Sequence, residues 1–336
     1  MTYALPEEYG GAGVTSHVTD CIVQEELFWG CAGMATSMGA IMLGALPILI
    51  SGNDAQKKKY LGMLSETKKD GTPMLGAYAL TEPDAGSDAA SLKTNVKKVD
   101  GGYILNGTKH FITNGGIADV YSVFATHDPS AGADGIDAFV VEGGWKGVKP
   151  GKKEKKMGIR ASHTAQVHFD DVFVPEENRL GAEGDGFFTA MQTFDHSRPI
   201  IAAGAIGIAR AAYEAALAYG LERKQFGRAI AKFQAISFML ADMATKIQAA
   251  RLLCWESAWL LDQGEPNMKE SSMAKSYAPD VAMEVTTDAV QIFGGVGYTR
   301  DYPVEKFMRD AKIMQIFEGT TQIQKLVISR ALIGFG

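Results

Sequence analysis

The acid at position 318 is one of the residues whose type and neighbours could do chemistry. It lies in Gln315-Ile316-Phe317-Glu318-Gly319-Thr320-Thr321-Gln322, after an aromatic residue and before a glycine. Held in an apolar pocket, such a carboxylate has a raised pKa suited to a general base. On the residues alone, an ordinary first-turn acid that helps start the final helix is the favoured reading. Upstream, Tyr78-Ala79-Leu80-Thr81-Glu82-Pro83-Asp84-Ala85-Gly86-Ser87-Asp88 offers hydroxyls and backbone amides on a loop. Such groups can hydrogen-bond a heterocycle or a phosphate, although composition alone favours a capped turn. Leu221-Glu222-Arg223-Lys224-Gln225-Phe226-Gly227-Arg228 joins a guanidinium fork for phosphate to a stacking face. It equally reads as a helix C-terminus carrying cations that suit the dipole. Asp288-Ala289-Val290-Gln291-Ile292-Phe293-Gly294-Gly295 ends in glycines that fit either a ligand or a helix cap.

Other chemistries lack their signatures. The sequence has no GxGxxG after a strand, no P-loop and no GxSxG nucleophile elbow. No His or Cys cluster has ligand spacing, so no metal is expected. Cys21, Cys31 and Cys254 are an odd count without a CxxC pair, which points to a reducing compartment rather than a disulfide framework. A net charge of -6 without a basic domain argues against nucleic acid. The start of the chain lacks the basic and apolar regions of a signal peptide.

At 336 residues the chain is too long for one ordinary core. Residues 1–74 read as helical after a turn-rich start, residues 75–185 as a β domain, and residues 186–336 as a helix bundle. Residues 31–50 carry no charge but include Gly33, Gly39, Gly44 and Pro47, so they read as buried helix rather than a membrane span. In the β domain, Asn106-Gly107 between Tyr103-Ile104-Leu105 and residues 108–113 predicts a hairpin turn. Residues 120–126 and 136–141 are short strands, and Val167, Phe169, Val172 and Val174 mark another, with a bend at Asp170-Asp171. Lys152-Lys153-Glu154-Lys155-Lys156 reads as a solvated loop. Pro199 predicts an early break or first turn. Ile236, Leu240, Met243, Ile247, Ala250 and Cys254 form the seam of a packed helix. Further helices cover 268–292 and 303–332, the latter interrupted near Gly319. Ile206, Arg210, Tyr213 and Leu217 also fall at helical spacing, and four such helices suggest an antiparallel bundle. The fold class is α+β multidomain: a shortened N-terminal helical domain, a middle β domain and a C-terminal four-helix bundle.

Taken in order, these stretches resemble the acyl-CoA dehydrogenase family, closest to its medium-chain branch. The matching segments are 78–88, Phe111-Ile112-Thr113-Asn114-Gly115-Gly116, Asp195-His196-Ser197-Arg198-Pro199, 223–227, 291–295 and 317–322. The resemblance implies FAD and the oxidation of an acyl-CoA substrate to the trans-2-enoyl-CoA in fatty-acid β-oxidation. Electrons would leave through electron-transferring flavoprotein. It implies Glu318 as the base. Tyr78, Leu80, Thr81, Gly86 and Ser87, with Phe111, Ile112 and Thr113, would meet the flavin and its phosphates. Arg223, Gln225, Phe226, Phe233, Gln234, Gln291, Ile292, Gly294 and Gly295 would hold the adenosine and pyrophosphate, from a neighbouring subunit of a homotetramer that is a dimer of dimers. Thr320 and Gln322 would complete the flavin site. Ser87, Asp195, Arg198 and Gly319 would bind substrate. One branch of the family carries its base just before the Arg-Pro pair, and here that position is Ser197, which supports Glu318 instead. The family ordinarily has one or two helices before the segment seen here at 6–11, so the first domain reads as shortened. The resemblance fits a cytoplasmic enzyme, or one of the mitochondrial matrix if the source is eukaryotic. An oxidase, and a non-catalytic FAD- or CoA-binding subunit, are the competing functions.

Overall fold

The β-rich run that begins near residue 76 becomes one eight-stranded sheet. Its strands are β1 (Gly76–Ala79), β2 (Asn95–Val99), β3 (Gly102–Thr113), β4 (Val120–Thr126), β5 (Ile136–Glu142), β6 (Val148–Lys153), β7 (Thr164–Pro175) and β8 (Arg179–Leu180). The order is β6-β7-β3-β2-β4-β5-β8, with β1 beside β4. The structure is a computed structural model, and it describes residues 2–334. The chain folds into two compact units. The first holds the chain up to Thr15 with 36–155 and 161–194, and the second holds 16–35, 156–160 and the chain from Asp195 onward.

In the first unit, β4 is buried along its whole length. Alternate side chains serve two cores, as the two-residue period of a strand requires. Val120 and Phe124 join Ile41, Ala45 and Ile48 from helix α1 (His17–Ser51) and Tyr60, Leu61 and Leu64 from α2 (Asp54–Ser65). Tyr121, Val123 and Ala125 join Tyr103, Phe139 and Val167 on the opposite face. Helix α1 lies close to the sheet: a Cβ on Gly44 would sit 2.7 Å from the Ala77 nitrogen, and the Ser122 hydroxyl donates to the Gly44 carbonyl at 2.7 Å. Helix α2 starts after a break at Gly52-Asn53, where Asn53 and Gln56 form a reciprocal capping box.

Asn106-Gly107 is not the hairpin turn that the sequence predicts. Those residues lie inside β3, and the turn joins β2 to β3 across Val99 and Gly102. The Asn-Gly pair instead marks an irregularity in the β3–β7 pairing, between Leu105 and Gly107. Asn106 is engaged across the strands: its amide donates to Asp171 at 3.0 Å, and its carbonyl oxygen accepts from the Asp171 N–H at 2.9 Å. Side-chain bonding of this kind serves a bulge as well as a turn.

The second unit is helical: the start of α1, most of α3 (Gly186–Glu222), then α4 (Gln234–Asp262), α5 (Met268–Phe293), α6 (Val304–Met314) and α7 (Thr321–Ile333). Helix α1 begins well before the uncharged stretch read from sequence. Its first turn is capped by Asp262, which accepts from the Ser16 hydroxyl and the His17 N–H. The expected seam of α4 is buried from Leu240 to Cys254, with Ile236 partly buried. By length and composition α1 and α3 could each cross a membrane. Here Ile41, Ala45, Ile48, Ala202, Ile206 and Ala209 on these helices lie in the cores.

Pro199 does not break α3 but lies inside it. A proline there removes the N–H that would bond the carbonyl four residues back. That carbonyl belongs to Asp195, and it accepts the Asn267 side-chain amide at 3.1 Å instead. A long-range partner therefore replaces the local bond, which a reading of neighbours along the chain misses.

Candidate active site

In the first unit, two neighbours on β3 secure the loop at 80–88. The Lys109 ammonium donates to the Leu80 carbonyl at 3.0 Å, and the His110 N–H donates to the Thr81 carbonyl at 2.8 Å. Lys109 also binds the Glu82 carboxylate at 2.7 Å. Glu82 accepts the Lys93 and Thr94 amides at 2.6 and 2.9 Å. Burial pushes the Glu82 pKa up, but the Lys109 charge and these bonds outweigh it and leave the pKa lowered. The next residue along β3, Phe111, adopts a left-handed backbone (φ 56) and stacks on the His110 ring at 3.8 Å. It is 59% exposed, an accessible aromatic face beside the secured loop.

Of the residues read from sequence in this unit, Gly86 and Ser87 are exposed on the loop and Thr113 is half-buried at the end of β3. Leu80 and Ile112 point into the cores, so they can offer only backbone groups. Tyr78 packs its ring against Phe124 and Phe194.

In the second unit, Glu318 sits on the turn between α6 and α7. Both it (φ 52) and Gly319 (φ 90) are left-handed, a conformation that a glutamate enters only when its surroundings hold it there. The holding groups are visible. The Gln324 amide donates to the carbonyls of Glu318 and Gly319 at 3.2 and 3.1 Å. The Lys275 ammonium, from α5, donates to the carbonyls of Met314 and Gly319, both at 2.8 Å. The Thr321 N–H closes back onto the Gln315 carbonyl at 3.0 Å.

The Glu318 carboxylate accepts the Ser197 hydroxyl at 2.5 Å. The residue is half-buried by surface area, yet protein surrounds the carboxylate. Desolvation raises its pKa, opposed by the Ser197 bond and by the charges of Lys275 and Arg198. Among the described residues the Glu318 backbone N–H has no hydrogen-bond partner. Arg198 and Asp195 form an ion pair at 2.5 Å on one turn of α3. Burial raises the Asp195 pKa against the pull of Arg198 and His196. Thr320 caps α7 by accepting the Ile323 N–H, and Gln322 is exposed at the start of that helix.

The second unit also carries a cavity of about 590 Å³, within the range of about 300–1,000 Å³ usual for ligand pockets. Its lining includes Arg223, Gln225, Phe226, Phe233, Ile292, Gly294 and Gly295. The end of α3, the start of α4 and the end of α5 thus bring together two stretches that lie far apart in sequence. Phe226 is left-handed (φ 49) and 93% exposed, meeting Phe233 edge-on at 6.0 Å. A side chain starting at Gly294 or Gly295 would meet no heavy atom within 4 Å. Gln234 and Gln291 are exposed next to lining residues without lining the cavity themselves.

Reading the sequence does not single out Lys109, Lys275 or Gln324. Lys275 carries a signal nonetheless: Ser271, Ser272, Ala278 and Pro279, one turn to either side of it, are all small or apolar, and all are buried. A lysine on that face requires a polar destination.

Three family models match the chain in order. The acyl-CoA dehydrogenase N-terminal domain matches residues 1–68, the middle domain 77–172 and the C-terminal domain 184–333. The "Probable acyl-CoA dehydrogenase FadE25" of Mycobacterium tuberculosis is 49% identical over 330 residues, 98% of this chain and 83% of that protein. Butyryl-CoA dehydrogenase from Megasphaera elsdenii superposes with a TM-score of 0.94 at 48% identity, over 99% of this chain and 86% of the other. A chain from the structural work on the electron transferring flavoprotein of Acidaminococcus fermentans superposes with a TM-score of 0.95 at 50% identity, with the same coverage. Similarity of this extent, in sequence and fold together, places the chain in the acyl-CoA dehydrogenase family of oxidoreductases.

Proposed function

We propose that this protein oxidises an acyl-CoA to the trans-2-enoyl-CoA, with Glu318 removing the α-proton. The observation that carries this reading is the condition of Glu318. Its pKa is raised by burial, it rests on a held left-handed turn, and the Ser197 hydroxyl reaches its carboxylate. A general base works best when its pKa is brought toward the working pH. Ser197, Lys275 and Arg198 oppose the rise and so favour the ionised, proton-accepting form. The α-hydrogen of a thioester is weakly acidic, so its removal needs donors aimed at the carbonyl oxygen. The unpartnered Glu318 N–H is the donor this chain offers. Ser87, Asp195, Arg198 and Gly319 are the proposed substrate contacts.

FAD, when bound, supplies the hydride acceptor for the β-hydrogen. The residues present fit that cofactor. Arg223 offers a fork for the pyrophosphate, Phe226 and Phe233 offer faces for adenine, and Gly294 and Gly295 leave room for close approach. Gln225, Gln234, Gln291 and Ile292 complete this proposed adenosine and pyrophosphate site. Tyr78, Leu80, Thr81, Gly86, Ser87, Phe111, Ile112, Thr113, Thr320 and Gln322 are the proposed flavin contacts. We propose three functional domains at 1–74, 75–185 and 186–336, and a cytoplasmic homotetramer acting in fatty-acid β-oxidation. Electron-transferring flavoprotein is the proposed acceptor, supported by the 50% identical chain from the Acidaminococcus fermentans work.

The test is an anaerobic titration of the FAD-loaded protein with acyl-CoAs from short to long, including branched ones. At least one should bleach the flavin and yield the enoyl product. Retention of FAD without bleaching by any of them overturns the reading. Comparing peroxide with flavoprotein reduction under air separates a dehydrogenase from an oxidase.

A further inference from the structure

Helix α6 ends at Met314, and the last carbonyls of a helix have no partner within it. Here a fully buried ammonium meets one of them. Lys275 is 0% exposed, and its Nζ bridges the Met314 carbonyl to the Gly319 carbonyl at 2.8 Å each. The two carbonyls flank the turn that carries Glu318. The Lys275 Nζ also lies 5.9 Å from the centre of the Phe317 ring, and no salt bridge joins it to a carboxylate among the described residues. Gln324 from α7 holds the other side of the same turn through the Glu318 and Gly319 carbonyls.

We infer that Lys275 is a positioning residue for the base: with Gln324 it clamps the 314–319 turn so that Glu318 keeps its left-handed backbone and its carboxylate stays on Ser197. This rests on the proposed role of Glu318. One ammonium serves two functions. Its hydrogen bonds hold the turn, and its charge favours the ionised base. Around Glu318 the other groups acting on the carboxylate are Ser197 and Arg198, the latter paired with Asp195. Around Lys275 they are Glu318, Arg198 and Asp280, and Asp280 accepts the Gln315 amide at 2.6 Å. Burial lowers the Lys275 pKa to about 8, so at neutral pH it is still mainly charged.

The test pairs Lys275→Met with Gln324→Leu in the full chain. Lys275→Met removes donors and charge, whereas Gln324→Leu removes donors only. In the cofactor-free protein, both should speed amide hydrogen exchange across residues 316–321. In the FAD-loaded enzyme both should lower kcat roughly ten- to hundredfold with KM within about threefold, the scale of a misplaced catalytic group. Lys275→Met alone should also move the acid limb of kcat/KM to higher pH, because it removes a cation that favours ionised Glu318. Slow exchange, an unmoved acid limb and a kcat within about twofold of the parent in Lys275→Met would overturn the inference. Should that variant not fold, unchanged exchange and rate in Gln324→Leu would overturn it. If the parent's flavin is not reduced, or if Glu318→Gln keeps its rate, the proposed base fails instead, and the exchange measurement still reads the clamp.

Discussion

Lys109 and Lys275 are both fully buried, each within electrostatic reach of a glutamate, and burial lowers both to about 8. The glutamates move in opposite directions. Glu82 is lowered and Glu318 is raised. The residue types are the same, so the difference lies in connectivity. Lys109 touches its carboxylate directly at 2.7 Å, and two backbone amides bind the same carboxylate. Lys275 directs its hydrogen bonds to main-chain carbonyls, and the carboxylate of Glu318 is reached by the Ser197 hydroxyl. A saturated carboxylate is locked as an anion and serves structure. A carboxylate left partly desolvated and sparsely bonded can take a proton.

The largest expected effect comes from breaking the locked pair. Lys109→Met leaves Glu82 buried without its counter-charge, and such a loss costs about 3–5 kcal/mol. Denaturant unfolding of the parent and the variant measures it. Replacing both partners by apolar residues should recover much of the loss, because a well-packed apolar pair often substitutes for a buried ion pair. A single variant within about 1 kcal/mol of the parent would show that the pair does not hold the 80–88 loop, which departs from the range expected for buried pairs.

Little of this contrast is legible in the sequence. The strands, the α4 seam and the polar stretches announce themselves because each repeats a local period or crowds unusual residues together. Glu318 stands out for its neighbours Phe317 and Gly319. Its partners lie 121 positions away for Ser197 and 44 between Lys275 and Gly319, on different helices. Neither propensity nor spacing encodes such distances. The same blindness explains Asn106-Gly107, whose turn chemistry is satisfied by Asp171 across the sheet, and Pro199, whose missing bond is supplied by Asn267. Family resemblance reaches Glu318 and the cavity residues but passes over Lys275, which touches only the main chain of the turn.

The next effect is chemical. On the proposed function, Glu318→Gln should retain FAD while lowering flavin reduction by at least about a hundredfold, the low end for a positioned base. It should also separate the two glutamates by stability. Glu318 has a folded pKa above its unfolded value, so the native state holds the proton more tightly. Its contribution is full below the unfolded pKa and is lost as pH rises through the folded one. The glutamine variant keeps its neutral amide throughout, so it should melt above the parent at pH 7, with the gap closing as pH falls. Glu82 has a lowered folded pKa, and its contribution is present above the unfolded pKa and lost as pH falls. Glu82→Gln should therefore melt below the parent at pH 7. Calorimetry at several pH values reads both. Equal signs for the two variants would collapse the distinction between them.

The smallest effect sharpens the comparison at its finest point. The amides that bind Glu82 belong to the backbone and survive truncation of their side chains, whereas the Ser197 hydroxyl does not. Ser197→Ala deletes a bond that favours ionised Glu318, so the pKa of the base should climb further. On the proposed role, protonated Glu318 cannot accept the α-proton, so the acid limb of kcat/KM should move to higher pH. On the acid side the rate should fall at least about tenfold, since a hydrogen bond to a charged group contributes roughly 1.5 kcal/mol or more. Well above the limb, where Glu318 is ionised in both proteins, the two rates should converge. A uniform fall at every pH would mean that Ser197 aims the carboxylate rather than tuning it. An acid limb displaced to lower pH would mean that Ser197 does not donate to the ionised base at all.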